Sequence, residues 1–226
     1  MERSVEKWTL VMEADNQEIL IAGARAFEVL LTGEQVKRIG EYLALLDKWS
    51  RKMNLTAVQG EQERVVKLVL DSLAVAPLLS EGMRVLDVGS GAGLPGIPVK
   101  LAVPGIIITL AESRRKRVDF LKEAVRKLGL TGVEVFAGRA EDYPGPGFDA
   151  VLVRAVGDLS SIIEAGAGRL SAGGIMAAMK GPEPEAEIAG AEARMRSAKI
   201  RIREIRRYAL PEAAGSRSLV VLEKLR

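Results

Sequence analysis

The residues best suited to chemistry in this 226-residue chain lie in one glycine-rich segment. It reads Asp87-Val88-Gly89-Ser90-Gly91-Ala92-Gly93-Leu94-Pro95-Gly96 and includes the end of an apolar run. Glycine lets the backbone turn sharply and lets a ligand approach the main chain closely. The pattern therefore predicts a loop at the end of a strand that binds a nucleotide-like cofactor.

Two cofactor classes compete for this loop. Residues 91–96 satisfy G-x-G-x-x-G, the dinucleotide fingerprint, whereas residues 89–93 after Asp87 match the loop of S-adenosylmethionine-dependent methyltransferases. Asp87 favours the second class, because a carboxylate near the helix start repels a pyrophosphate and attracts the ammonium and sulfonium groups of S-adenosylmethionine. A nicotinamide-dependent oxidoreductase stays the alternative.

Two later strand ends carry residues that suit a nucleoside. Glu112 ends the next predicted strand, where an acidic side chain can hold ribose hydroxyls in either cofactor class. Ala140 and Glu141 follow the third predicted strand, where backbone and carboxylate could meet an adenine amino group. Because parallel strands end at one edge of a sheet, these residues are predicted to lie near the glycine loop. A polar helix start is the structural alternative for Glu141.

The chain contains no cysteine and no histidine, which excludes several classes of chemistry. The first absence removes disulfides, thiolate nucleophiles and cysteine-ligated zinc. The second removes histidine-containing triads and histidine-bound metals, so no metal site is predicted. The reaction must proceed without a thiolate or an imidazole.

Basic residues are concentrated after residue 80. Residues 1–80 carry a net charge of −2 and residues 81–226 a net charge of +5. Residues 114–117 read Arg-Arg-Lys-Arg, and seven basic residues lie between 194 and 207. An uneven basic surface favours a polyanionic partner such as nucleic acid, although such runs also occur on solvated faces.

The elements that must position these residues are those of an α/β fold. Short apolar runs predict strands at 84–88, 106–111, 133–136, 148–153 and 174–179. Helical patterns starting at 94, 114 and 159 lie between them, which indicates βαβ units and a mostly parallel sheet. The last segments, 199–203 and 218–222, predict a C-terminal antiparallel hairpin.

The first 80 residues predict helices instead. Thr32 and Gln35 form a capping-box pattern before a helical apolar stripe. We therefore expect an N-terminal helical extension over 1–80, packed on a main domain over 81–226. No apolar stretch approaches the ~20 residues of a membrane span, and no secretory pattern opens the chain, so a cytoplasmic protein with no membrane partner is expected.

Several motifs together resemble one known family. They are the segments 87–98, 113–121 and 179–181, with Asn54-Leu55-Thr56, Leu70-Asp71-Ser72 and Arg154-Ala155. From about residue 32 to the C-terminus the chain resembles the bacterial 16S ribosomal RNA guanine-N7 methyltransferase G family, also called glucose-inhibited division protein B. The resemblance implies a Rossmann-like class I S-adenosylmethionine-dependent methyltransferase fold.

The resemblance also implies site residues and a substrate. S-adenosylmethionine would be bound by Gly89, Leu94, Ala140, Glu141 and Arg154, beside Asp87, Gly91, Gly93 and Glu112 from the loop argument. Basic positions near RNA would be Lys116, Arg117, Arg139, Lys180 and Arg217. The implied partner is 16S rRNA or the small ribosomal subunit, and a monomer is expected. Leu68 stands where the family usually has a histidine.

Methylation of guanine N7 fits the composition, because N7 carries no proton and needs no general base. Arg154 is the best candidate for a catalytic role: it could contact the cofactor carboxylate, the target base or a phosphate. Its structural alternative is an ion pair with Asp87 or Glu112. Rival functions are methylation of another RNA or a small molecule, and a non-catalytic RNA-binding module.

Overall fold

Seven strands form a sheet in the computed structural model, which describes residues 12–154 and 157–226. The strands are β1 (Arg84–Val88), β2 (Ile107–Glu112), β3 (Val133–Ala137), β4 (Phe148–Arg154), β5 (Leu170–Lys180), β6 (Ile200–Ala209) and β7 (Ser216–Lys224). Their order across the sheet is β3-β2-β1-β4-β5-β7-β6. β1 to β5 are parallel, and β7 pairs antiparallel with both β5 and β6. The predicted mostly parallel sheet with a C-terminal antiparallel hairpin is confirmed.

Helices lie before the sheet and between its strands. They are α1 (Ala14–Ala26), α2 (Gly33–Met53), α3 (Glu61–Arg64), α4 (Asp71–Leu73), α5 (Gly96–Ala102), α6 (Arg115–Lys127), α7 (Leu159–Gly166) and α8 (Glu185–Ala198). A π-helix, Val65–Leu70, joins α3 to α4. Across the two described ranges, none of the helices combines the length and the apolar character of a membrane span. Ala155, part of one sequence motif, lies outside these ranges.

The central strands are apolar because both faces of the sheet are covered. Val85 and Leu86 of β1 are completely buried, and so is Asp87, the charged exception. β6 runs to Ala209 rather than to residue 203, because β7 pairs with it along its whole length. A register shift between Ile202 and Glu204 interrupts the alternation of apolar and basic residues, so the pattern did not predict the second half of the strand.

The N-terminal helices pack on the sheet domain. The predicted capping box of α2 is present: Thr32 Oγ1 accepts from the Gln35 amide at 3.2 Å, and Gln35 Oε1 accepts from the Thr32 amide at 2.8 Å. Gln35 Nε2 also donates to the carbonyl oxygens of Leu101 and Ala102, which ties α2 to α5. Trp49 packs edge-on against Phe120 of α6. The domain boundary at residue 80 stays a prediction.

Candidate active site at the carboxyl edge of the sheet

The glycine loop connects β1 to α5 and requires glycine for two reasons. Gly91 and Gly93 have φ angles of +57° and +85°, a region that side chains rarely adopt. Close packing is the second reason: a Cβ on Gly93 would lie 2.4 Å from Ile97 Cδ1, and one on Gly96 would lie 2.4 Å from Leu110 Cδ2. The loop therefore packs closely against α5 and the edge of the sheet.

Asp87 lies beneath this loop as a fully buried carboxylate. Its Oδ2 accepts a hydrogen bond from the Gly96 amide at 3.0 Å, whereas Oδ1 has no hydrogen-bond partner within the described ranges. Burial raises the pKa of Asp87 from 3.8 to about 7, against the lowering effects of the Gly96 amide and the Arg154 charge. A carboxyl group thus occupies the start of α5, where a phosphate would otherwise bind.

Glu112 is a second buried carboxylate on the loop, with 5% of its surface exposed. Its Oε2 accepts from the Gly91 amide at 3.0 Å, and its Oε1 accepts from the Arg114 amide at 2.8 Å. Arg117 Nη1 lies 3.7 Å from Oε2. Two loop amides, those of Gly91 and Gly96, are therefore already paired with carboxylates, and the loop suits a cationic ligand better than an anionic one.

The other predicted cofactor positions reach the same edge, because β3, β2 and β1 are neighbours. Ala140 is buried and Glu141 exposed on a 3-10 turn, Ala140–Asp142, which follows β3. Gly89 is exposed and Leu94 half-buried in the loop itself. The structure thus brings together the three strand ends that the sequence singled out.

Tyr42 of α2 supports the loop from the helical side. This side chain is fully buried, and its hydroxyl donates to the Ala92 carbonyl at 2.9 Å. Burial raises the pKa of Tyr42, so the hydroxyl stays a donor. Tyr42 belongs to the apolar helical stripe that follows the predicted capping box, and helical spacing gives no information on the partner of its hydroxyl.

Arg154, at the end of β4, points to the N-terminal helices. Its Nη2 donates to the Lys67 carbonyl at 2.6 Å and lies 3.1 Å from Asp71 Oδ2. The structural alternative for Arg154, an ion pair with Asp87 or Glu112, is wrong. Among the described residues the carboxylate paired with Arg154 is Asp71. The other Asp71 oxygen, Oδ1, accepts from the Tyr208 hydroxyl at 2.8 Å. The Leu70-Asp71-Ser72 motif was the only sequence signal for Asp71.

The predicted RNA-facing residues divide by exposure. Lys116 and Arg139 are exposed after β2 and β3, at the carboxyl edge of the sheet. Arg217 is half-buried, and its Nη1 donates to the Ser216 carbonyl at 2.8 Å. Lys180 differs: its side chain is 9% exposed, and Nζ lies 2.6 Å from Glu187 Oε2. Lys180 therefore ties β5 to α8 rather than offering an open charge.

Leu68 occupies the position at which a histidine is usual in the resembled family. It is 4% exposed and belongs to the hydrophobic core of the helices and the sheet. Here the position is therefore filled by an apolar packing residue.

Comparison with known proteins places the chain in one family. A profile of the family described as rRNA small subunit methyltransferase G matches residues 35–217. The chain is 36% identical over 221 residues to ribosomal RNA small subunit methyltransferase G of Thermoanaerobacter pseudethanolicus, covering 95% of this chain and 92% of that relative. The chain belongs to the rRNA small subunit methyltransferase G family. The family predicted from the sequence motifs is thus confirmed, and so is the prediction of an rRNA methyltransferase.

A second relative agrees with this family, and a solved structure agrees with the fold. Identity to ribosomal RNA small subunit methyltransferase G of Stenotrophomonas maltophilia is 42% over 182 residues, covering 80% of this chain and 83% of the relative. The crystal structure of M. jannaschii TYW2 in complex with AdoMet is 15% identical, with a TM-score of 0.56 over 74% of this chain and 77% of that one. At this identity the likeness concerns the fold, and the predicted class I methyltransferase fold is confirmed.

Proposed function

We propose that this chain transfers the methyl group of S-adenosylmethionine to N7 of a specific guanine in the 16S rRNA of the small ribosomal subunit. The observation that carries the choice of cofactor is the pair of buried carboxylates at the glycine loop. Asp87 and Glu112 accept from the Gly96 and Gly91 amides, the donors that a pyrophosphate would require. A dinucleotide is disfavoured there, whereas a ligand with an ammonium and a sulfonium is favoured.

We assign the binding roles by position along the carboxyl edge. Asp87 and the loop glycines 89, 91 and 93 would take the methionine end of the cofactor, with Leu94 beside it. Glu112 would accept from the ribose hydroxyls, since each of its oxygens keeps a second lone pair after its backbone contact. Ala140 and Glu141 would meet the adenine, and Arg154 the cofactor carboxylate.

The reaction needs little from the protein beyond positioning. When bound, S-adenosylmethionine supplies an electrophilic methyl group. The N7 lone pair forms the new C–N bond while the C–S bond breaks and its electron pair stays on sulfur. N7 carries no proton, so the absence of histidine and cysteine is no obstacle. Before attack the chain must hold N7 about 3–3.5 Å from the methyl carbon and in line with the C–S bond. This positioning can lower the barrier by several kcal/mol.

The RNA would approach the same edge of the sheet. The exposed Lys116 and Arg139 would contact backbone phosphates, and so would Arg117, which follows Lys116 in sequence. Arg217 would contact them further along the edge, because it precedes Ser218, the register partner of Lys180. Lys180 would act indirectly by fixing the end of β5. We infer that the protein works as a monomer in the cytoplasm, where its ribosomal substrate is present.

The test is transfer of a radiolabelled methyl group from S-adenosylmethionine. Small ribosomal subunits from cells that lack this modification, naked 16S rRNA and tRNA are incubated in parallel, and the RNA is digested to nucleosides. We expect label in 7-methylguanosine at one site of 16S rRNA. Label in a different nucleoside, or in tRNA alone, would keep a methyltransferase but overturn this substrate assignment.

A further inference from the structure

We infer that Asp71 is a positioning residue that fixes the Arg154 guanidinium for the cofactor, with Tyr208 fixing Asp71 in turn. The inference rests on the proposed function, because it assumes that Arg154 contacts bound S-adenosylmethionine. It makes cofactor binding depend on the helical N-terminal part and on the C-terminal hairpin, neither of which contributes a residue to the glycine loop.

The contacts form a linear chain of three side chains. Tyr208 of β6 donates to Asp71 Oδ1 at 2.8 Å, and Asp71 Oδ2 lies 3.1 Å from Arg154 Nη2. Asp71 is 5% exposed, and the Arg154 side chain 18%. A carboxylate so deeply buried is stable only when it is paired, so Asp71 constrains Arg154 strongly. The pKa of Tyr208 is raised by burial and by the Asp71 charge, so the hydroxyl keeps its proton.

The π-helix supplies the second contact of Arg154. In an α-helix the Asp71 amide would donate to the Lys67 carbonyl, four residues earlier. Here it donates to the carbonyls of Leu68 and Val66 instead. The Lys67 carbonyl does not accept from the Asp71 amide and accepts instead from Arg154 Nη2 at 2.6 Å. Single π-helical turns of this kind are frequent at functional sites.

Both contacts use the same nitrogen of Arg154, and this points to a ligand. The guanidinium has five N–H donors in a rigid plane, and Asp71 and Lys67 engage only Nη2. Two contacts to Nη2 fix the plane of the guanidinium, and Nε and Nη1 take no part in them. A carboxylate of the cofactor could then be bound without first ordering a long side chain, which ordinarily costs binding free energy.

The test is a double-mutant cycle on cofactor affinity, with S-adenosylmethionine as the probe and calorimetry as the readout. We expect Arg154→Ala and Asp71→Ala each to weaken binding, the latter by roughly three- to tenfold. Asp71→Ala should have no further effect once Arg154 is alanine. Tyr208→Phe, which keeps the ring, should weaken cofactor binding by about twofold when Asp71 is present. In the Asp71→Ala background the same change should leave the affinity unaltered.

Asp47→Asn is the matched control. Asp47 also pairs with a partly buried arginine of the helical part, Arg64, at 2.6 Å, so its loss tests whether any broken ion pair there weakens binding. We expect wild-type affinity from this variant. Additive losses in the Arg154 and Asp71 cycle, or equal losses from Asp47→Asn, would overturn the positioning role of Asp71. Failure of the wild-type chain to bind S-adenosylmethionine would instead overturn the proposed function and the inference with it.

Discussion

A carboxyl group that is fully buried and hydrogen-bonded through only one oxygen is costly when ionised, and Asp87 has this environment. Its pKa of about 7 means that the unliganded protein holds the group partly protonated near neutrality. A cationic ligand beside it favours the ionised form, so ligand binding and loss of this proton are linked. The proposed cofactor site therefore contains a carboxyl group with a raised pKa, which the sequence alone does not indicate.

Affinity for S-adenosylmethionine is expected to rise with pH through the pKa of Asp87. Below about pH 7 binding must first remove the proton, so the dissociation constant should increase roughly five- to tenfold between about pH 7.5 and about pH 6. Calorimetry at both pH values measures this. Asp87→Asn should bind weakly with no such dependence, whereas Asp119→Asn, an exposed change on α6, should keep the wild-type profile. A flat wild-type profile would contradict the linkage.

At the scale of elements, α2 supports the glycine loop and the helix that follows it. The Tyr42 hydroxyl satisfies the Ala92 carbonyl in the interior, and Gln35 on the same helix satisfies two carbonyls at the end of α5. Both ends of the loop-and-helix unit are thus held by one helix. This explains how a site at the sheet edge depends on residues far from any cofactor motif.

Removing the Tyr42 hydroxyl should loosen this support. Tyr42→Phe leaves the Ala92 carbonyl buried and unpaired, so we expect a loss of about 1–3 kcal/mol in the free energy of unfolding. We also expect weaker S-adenosylmethionine binding, because the loop is less well held. Urea denaturation and calorimetry check the two effects. Thr32→Ala, which removes the N-cap of the same helix at a cost of about 1 kcal/mol, should lower stability alone; an equal loss of affinity there would contradict the role of Tyr42.

The sequence predicted elements well and contacts between them poorly. Strand runs such as β1 and β2 are apolar on both faces and therefore visible, and the acids at their ends, Asp87 and Glu112, were found with them. The partner of Arg154 was missed because Lys67 lies 87 residues away, and the intervening chain gives no register between a helix and a strand end. The burial of Lys180 was missed for the same reason: its partner Glu187 lies on another element.

Over the whole molecule, the two basic runs have different surroundings. In the run between 194 and 207, Arg201 pairs with Glu223, Arg206 with Glu204 and Arg207 with Glu185. These exposed pairs offset much of its charge, although each adds little stability. In the run over residues 114–117, Lys116 instead lies exposed beside the candidate cofactor site, and Arg139 lies exposed after β3 at the same edge. We therefore expect a polyanion to be attracted to the carboxyl edge rather than to the face of β6.

Replacing Lys116 and Arg139 together with alanine should reduce both RNA affinity and its dependence on salt. Each lost phosphate contact lowers the slope of log affinity against log salt by about 0.7–0.9, so a decrease near 1.5 is expected. Filter binding of a 16S rRNA fragment at several salt concentrations measures it. The control removes two lysines from the exposed side and last turn of α6, Lys122→Ala with Lys127→Ala. An equal change in slope from the control would mean that RNA binding is not confined to the carboxyl edge.

The link between Tyr208 and Asp71 has a consequence for the time at which the protein becomes competent. These residues are 137 positions apart, and Gln62 meets Glu212 across 150 positions. The glycine loop and its two carboxylate contacts use only residues that precede β5, whereas Tyr208 lies on β6, which joins the sheet through β7. We therefore expect the full set of contacts around Arg154 and Asp71 to form only after β6 and β7 have been translated. The proposed cofactor site would then be completed later in synthesis than its glycine loop.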